Sequence, residues 1–210
     1  MASLLMSARA NCSSGCHRSD RSESAPSGTQ HVDFLPQLSQ LTCLGLRCCK
    51  TLQGQWTIPA DALLASLVRC NGLIDLTLCC GFKSTHWSAL FVKLTRIKKL
   101  SIGRGEIDTL RCFEVGPITE SLQELILQGV DLPPSELCHL YGLRRLRSLH
   151  LDRCFSARLD GAMIDRLSPP SPRIPSLIQL TFSFQNADGK WDSRVRHGAS
   201  FEWMQQRRML

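Results

Sequence analysis

Several familiar signatures are missing from this chain. It has no apolar run near the roughly 18 residues that cross a bilayer. The longest candidate, Ala60 to Val68, is broken by Asp61 and followed by Arg69. There is no Gly-x-x-x-x-Gly-Lys-Ser/Thr loop to cradle the phosphates of a nucleotide. There is no Cys-x-x-Cys pair of the sort that clips zinc. The start of the chain does not read as a secretion signal, because Leu4, Leu5 and Met6 form a very short apolar patch with no basic residue ahead of it. Nor is there a dense basic block. The formal net charge is +7, yet residues 1–40 balance to zero, residues 41–185 carry +5 and residues 186–210 carry +2. Nucleic-acid binding is therefore not expected, and neither is membrane association. These absences point to a cytoplasmic protein, with the nucleus as the other compartment open to it.

What the chain does have is cysteine, eleven in all. In a small secreted protein these would be read as a disulfide framework. Here the number is odd and some are adjacent, as in Cys48-Cys49 and Cys79-Cys80. The expectation is reduced, small, mostly buried side chains.

It also has a repeat. The pattern apolar-x-x-apolar-x-apolar occurs six times. The copies are Leu41/Leu44/Leu46, Leu73/Leu76/Leu78, Ile97/Leu100/Ile102, Leu122/Leu125/Leu127, Leu146/Leu149/Leu151 and Leu177/Leu180/Phe182. Their starts are 32, 24, 25, 24 and 31 residues apart. A further apolar residue precedes most copies by three places (Leu38, Cys70, Leu94, Leu143, Ile174), while the fourth copy has Thr119 there. Two apolar residues with one between them signal a strand whose larger side chains turn to one face.

Between copies the period changes. Trp87, Leu90, Phe91 and Leu94 form a helical stripe behind Thr85 as N-cap. Leu137, Leu140 and Leu143 follow a helix start at Pro133-Pro134-Ser135-Glu136. Pro59 opens a helix over Ala60–Val68, and Asp160 is placed to cap a turn carrying Met163, Ile164 and Leu167. Residues 105–121 fit worst and read as extended or irregular.

Over residues 38–185 the chain resembles the leucine-rich-repeat family, whose unit is L-x-x-L-x-L-x-x-N/C-x-L. The ninth position is Cys49 and Cys154 in two copies, but Gly81, Gly105, Val130 and Gln185 in the others. That places the resemblance with irregular, cysteine-type repeats, as in substrate receptors of ubiquitin ligases and plant-type immune receptors. It implies an α/β solenoid, a right-handed horseshoe arc of about six coils, with parallel strands on the concave face and helices or turns on the convex face. The expected organisation is a disordered segment over residues 1–30, a repeat domain over 31–185, and a polar loop with a candidate C-terminal cap over 186–210. Phe34 and Leu35 would cover the first coil; Phe201, Trp203, Met204 and Leu210 the last.

On a strand of period two, the residues between inward leucines face outward. The third repeat position supplies Cys43, Asp75, Lys99, Glu124, Ser148 and Gln179. The fifth supplies Gly45, Thr77, Ser101, Ile126, His150 and Thr181, and the seventh Arg47, Cys79, Gly103, Gln128, Asp152 and Ser183. This wall is polar and mixed in sign, which suits a protein partner. The candidate contact residues are Asp75, Thr77, Lys99, Ser101, Glu124, Ile126, Gln128, Ser148, His150, Asp152, Gln179 and Thr181. The bland alternative is a solvated sheet face.

Three sharper readings compete. Ser148, His150 and Asp152 share one face of one strand, the residue types of a catalytic triad. Same-face neighbours lie roughly 6.5–7 Å apart at Cα with parallel side chains, so a serine–imidazole bond is not expected and no catalytic residue is assigned. Cys43, Cys48, Cys79 and Cys80 fall on or beside neighbouring strands as a thiol or zinc cluster, but small residues at tight stacking positions explain them as well, and no metal or cofactor is assigned; Cys12, Cys16 and His17 are weaker still. Arg96, Lys98 and Lys99 in the third unit match Arg145 and Arg147, with Arg144 beside them, in the fifth, giving a basic rim that either docks an acidic partner or discourages strand pairing.

The function this predicts is a non-enzymatic module that binds a macromolecular partner. A ubiquitin-ligase adaptor would need an F-box-like helical segment, and the 40 residues ahead of Leu41 do not read as one.

Overall fold

The computed structural model describes residues 41–47, 59–79, 81–103, 107, 109–130, 133–154, 166–167, 169, 171, 173–185 and 191–197. Seven strands form one open sheet, and their spatial order is their order along the chain. They are β1 (Cys43–Arg47), β2 (Asp75–Cys79), β3 (Lys99–Gly103), β4 (Glu124–Gln128), β5 (Ser148–Asp152), β6 (Gln179–Gln185) and β7 (Trp191–His197). The first six run parallel and β7 returns antiparallel to β6. The fold is therefore α/β, with a single sheet and few helices.

The register follows from the repeat. Leu44, Leu76, Leu100, Leu125, Leu149 and Leu180 are successive partners across six strands. Leu46, Leu78, Ile102, Leu127, Leu151 and Phe182 form the next row. Both rows are buried, as are Leu73, Ile97, Leu122, Leu146 and Leu177 just ahead of the strands. A slip of one residue would turn a strand's inward side chains to the opposite face, so burial excludes it.

The backbone adds its own lock where the strands begin. The carbonyl of Thr42 accepts the amides of Ile74 (2.8 Å) and Asp75 (3.0 Å). The carbonyl of Ile74 does the same for Lys98 and Lys99, Lys98 for Gln123 and Glu124, Gln123 for Arg147 and Ser148, and Arg147 for Ile178 and Gln179. One carbonyl thus uses both lone pairs to hold the next unit, five times in succession. At the other end of the strands, Gly129 (φ 64) and Arg153 (φ 54), both at the eighth repeat position, take the left-handed conformation. Gly129 donates its amide to the Asp152 carbonyl at 2.8 Å. The Cys154 thiol, one place further on, donates to the Leu127 carbonyl at 2.9 Å. Burial pushes that thiol up to about 12, so it stays protonated.

The connections are less uniform. α1 (Ala60–Leu67) starts at Pro59, whose carbonyl accepts the first helical amide, from Leu63. Ser66 sits on its buried face because its hydroxyl bonds back to the Ala62 carbonyl at 3.1 Å. α2 (Ser84–Lys93) buries Trp87, Leu90 and Phe91. Its N-cap is Lys83 and not Thr85, which lies exposed within the first turn. The Lys83 amide donates to His86 Nδ1 at 3.0 Å, so the imidazole takes the part that a glutamate or glutamine at the third helical position plays in a capping box. The other ring nitrogen of His86 reaches Asp61 at 3.2 Å, tying α2 to α1.

Residues 105–121, expected to be extended or irregular, contain a 3-10 helix (Arg111–Glu114) and a single-turn helix, α3 (Ile118–Ser121). Ile118 is fully buried while the Thr119 hydroxyl bonds the Gly116 carbonyl at 3.0 Å. A polar residue at the expected apolar place is thus offset by its neighbour. The helix expected after Pro133 forms as a second 3-10 helix, Pro134–Gly142. The aromatic rings of Phe82, Trp87, Phe91 and Phe113 pack in sequence at 5.2, 5.6 and 5.2 Å between centroids. They carry the core across the connections, where leucine rows do not reach.

The polar stretch expected to be a loop after Gln185 includes β7. Its alternation of Trp191, Ser193, Val195 and His197 with Asp192, Arg194 and Arg196 is a weak period-two signal. The segment over residues 1–30, the proposed end caps at Phe34, Leu35, Phe201, Trp203, Met204 and Leu210, and the turn at Asp160, Met163 and Ile164 lie outside the described residues. Leu167 is described and buried. Among the described residues no helix is long and apolar enough to cross a membrane.

Candidate functional site

The sheet face opposite the leucines carries the third, fifth and seventh repeat positions. Strand pairing sets them in rows about 4.8 Å apart. One row is Cys43, Asp75, Lys99, Glu124, Ser148 and Gln179; the next is Gly45, Thr77, Ser101, Ile126, His150 and Thr181. Cys43 and Gly45 are exposed, and the remaining members of both rows are half-buried. All twelve candidate contact residues thus lie on one continuous surface, with Gln128 and Asp152 in the third row.

Most polar groups on this surface are bonded to a neighbour on it. Lys99 Nζ reaches Glu124 Oε1 at 3.1 Å, with side chains 40% and 31% exposed. Lys99 therefore belongs to this face and not to the rim. Gln128 Nε2 donates to one oxygen of Asp152 at 2.9 Å, and the Ser183 hydroxyl donates to the other at 2.7 Å. Gln179 Nε2 meets Thr181 Oγ1 at 3.5 Å. Burial raises the Asp75 carboxyl, with the Lys99 ammonium pulling the other way. Partial desolvation raises the Cys43 thiol too, helped by the adjacent Asp75 charge.

Ser148 and His150 overturn the expectation from strand geometry. Ser148 Oγ lies 2.8 Å from His150 Nε2. Parallel Cα–Cβ directions do not prevent this contact, because an imidazole is long enough to fold back toward a neighbour two residues away. Burial lowers the His150 pKa, opposed by Glu124, so the imidazole is neutral. Asp152 does not complete a triad: its two oxygens hold Gln128 and Ser183. The nearby strand amides are held in the parallel ladder, so they do not form an oxyanion cradle. What stands here is a serine–histidine pair fixed on a polar face.

Two seventh-position residues are less outward than the alternation predicts. Gly103 is buried, and a Cβ there would lie 2.7 Å from Cys79 Sγ. The glycine makes room for the cysteine of the preceding strand. Ser183 is 6% exposed, closed over by its bond to Asp152. Cys48 and Cys80 lie outside the described residues. Among the described residues, no three His, Cys, Asp or Glu side chains converge as a metal site.

The basic rim divides. Arg144 pairs with Glu120 at 3.4 Å. Arg96, Lys98 and Arg145 line a common groove of about 500 Å³ together with Ile74, Thr95, Pro117, Glu120, Ser121 and Gln123. Sequence reasoning found the three cations. It missed the groove, because its walls come from four separate connections and only the register brings them together.

Comparison with protein-family models, with curated proteins and with solved structures finds no match to this chain.

Proposed function

We propose that this chain is a leucine-rich-repeat solenoid and a non-enzymatic module that binds a protein partner on its polar sheet face. The observation that carries this reading is the set of side chains in register. Thr77, Ser101, Ile126, His150 and Thr181 form one continuous row, flanked by charged and amide groups already held by lateral bonds. Side chains fixed before contact lose little rotamer freedom on binding. Mixed charge and a half-buried isoleucine at the centre match the composition of a protein interface, with polar groups giving selectivity. Six free cysteines among the described residues accord with a reducing compartment, the cytoplasm or nucleus. A ubiquitin-ligase adaptor's recognition segment is a narrower form of the same reading, and the face alone does not favour it. An enzyme at Ser148 and His150 is the other class. It would require a third group and an oxyanion site beyond those this face supplies.

The test is quantitative affinity capture from cell extract, comparing the parent chain with Thr77→Arg plus Ile126→Arg. Both positions are half-buried on the face, so the pair adds bulk and charge to the row without emptying the core. The expected result is loss of the captured partners with a melting temperature close to that of the parent. Capture that survives the double substitution contradicts the reading. Hydrolysis of activated esters that disappears in Ser148→Ala would favour the enzyme instead.

A further inference from the structure

We propose a second docking surface: the groove ahead of the strands takes an acidic peptide segment of a protein partner. It lies beside the sheet face and does not rest on the reading of that face. Its lining comes from four successive connections: Ile74 before β2, Thr95, Arg96 and Lys98 before β3, Pro117 to Gln123 before β4, and Arg145 before β5.

The chemistry of the groove is one-sided. The backbone carbonyls of Ile74, Lys98 and Gln123 each already accept two amides, so they have no lone pair left for a cation or a donor. What faces the groove is a set of donors. Arg96, Lys98 and Arg145 are exposed and make no ion pair among the described residues. The one acid in the lining, Glu120, is neutralised by Arg144 at 3.4 Å. Guanidinium groups bind carboxylates in a planar fork. Ile74 and Pro117 add apolar surface for the aliphatic stems and neighbours of glutamate side chains, which a nucleic-acid backbone lacks.

The experiment is fluorescence anisotropy of a fluorescein-labelled, glutamate-rich dodecapeptide titrated with the full chain at low salt. Arg96→Glu with Arg145→Glu should weaken binding by about tenfold or more, since charge pairs at one site are removed and reversed. Lys83→Glu with Arg111→Glu changes the formal charge equally at two residues that do not line the groove, and should weaken it less than about twofold. Equal losses in the two charge-reversed pairs would show attraction to net charge alone and overturn the proposal. So would a DNA duplex that displaces the peptide at lower concentration than unlabelled peptide does.

Discussion

Along the strands, successive units of this protein repeat one arrangement; along the connections, no two of the described helical segments are alike. The strand side repeats one arrangement: two inward apolar residues, one carbonyl holding two amides, and a register that never slips from β1 to β6. The connection side uses an eight-residue helix, a ten-residue helix, a 3-10 helix with a single helical turn, and a longer 3-10 helix in turn. Strand pairing demands the same spacing each time, because backbone groups must meet at fixed intervals. The connections need only span the distance and cover the core. They are consequently closed by individual contacts, such as the four packed aromatic rings and the bonds around Glu136.

That contrast can be broken on either side. The largest effect is expected on the regular side. Leu125→Ala removes a fully buried side chain from the centre of the inward row and should destabilise by about 2–5 kcal/mol, read by denaturant unfolding. On the irregular side, Glu136 accepts the Thr109 hydroxyl at 2.5 Å and the Leu110 amide at 2.8 Å, stapling one connection to the next. Burial works against this carboxylate, but those two bonds, with His139 and Arg111, outweigh it and lower its pKa. Glu136→Ala should cost about 1–3 kcal/mol by orphaning the two donors. The carboxylate's contribution is present above its unfolded value of 4.5 and is lost as pH falls through the lowered folded value.

Smaller effects sharpen the comparison. Gly129→Ala places a side chain at φ 64 and should cost about 1 kcal/mol, an effect local to one turn. His150 offers the finest probe of the face. Its folded pKa lies below the unfolded 6.5, so the stability of the neutral imidazole is present above that pH and is lost as pH falls toward the folded value. The stability difference between parent and His150→Asn, measured from pH 8 to pH 5, should change only below about 6.5. A difference that is flat across that range would place His150 in water.

The strand side was legible because burial and period two act together on adjacent residues: Leu76, Leu100, Leu125 and Leu149 read as one row from their spacing alone. α1 and α2 were legible from Pro59 and from the stripe at Trp87, although the N-cap moved from Thr85 to Lys83. The short helical turns within 105–121 were not, since their apolar residues Leu110, Phe113 and Ile118 follow no period. β7 was hidden by its charged residues. On the face, the Ser148–His150 bond depends on side-chain torsions that spacing does not encode. Lys99 read equally as rim or wall, and only its contact with Glu124 decides.

The display of one polar surface depends most on the alternation along β4. Single cysteines placed at residues 124 to 128, labelled with iodoacetamide in the native state and mapped by mass spectrometry, test it directly. Rapid labelling at 124, 126 and 128 with protection at 125 and 127 is the expected pattern. Labelling that runs evenly through the strand, or is fastest at 125 and 127, would mean that the polar residues are not displayed as one surface.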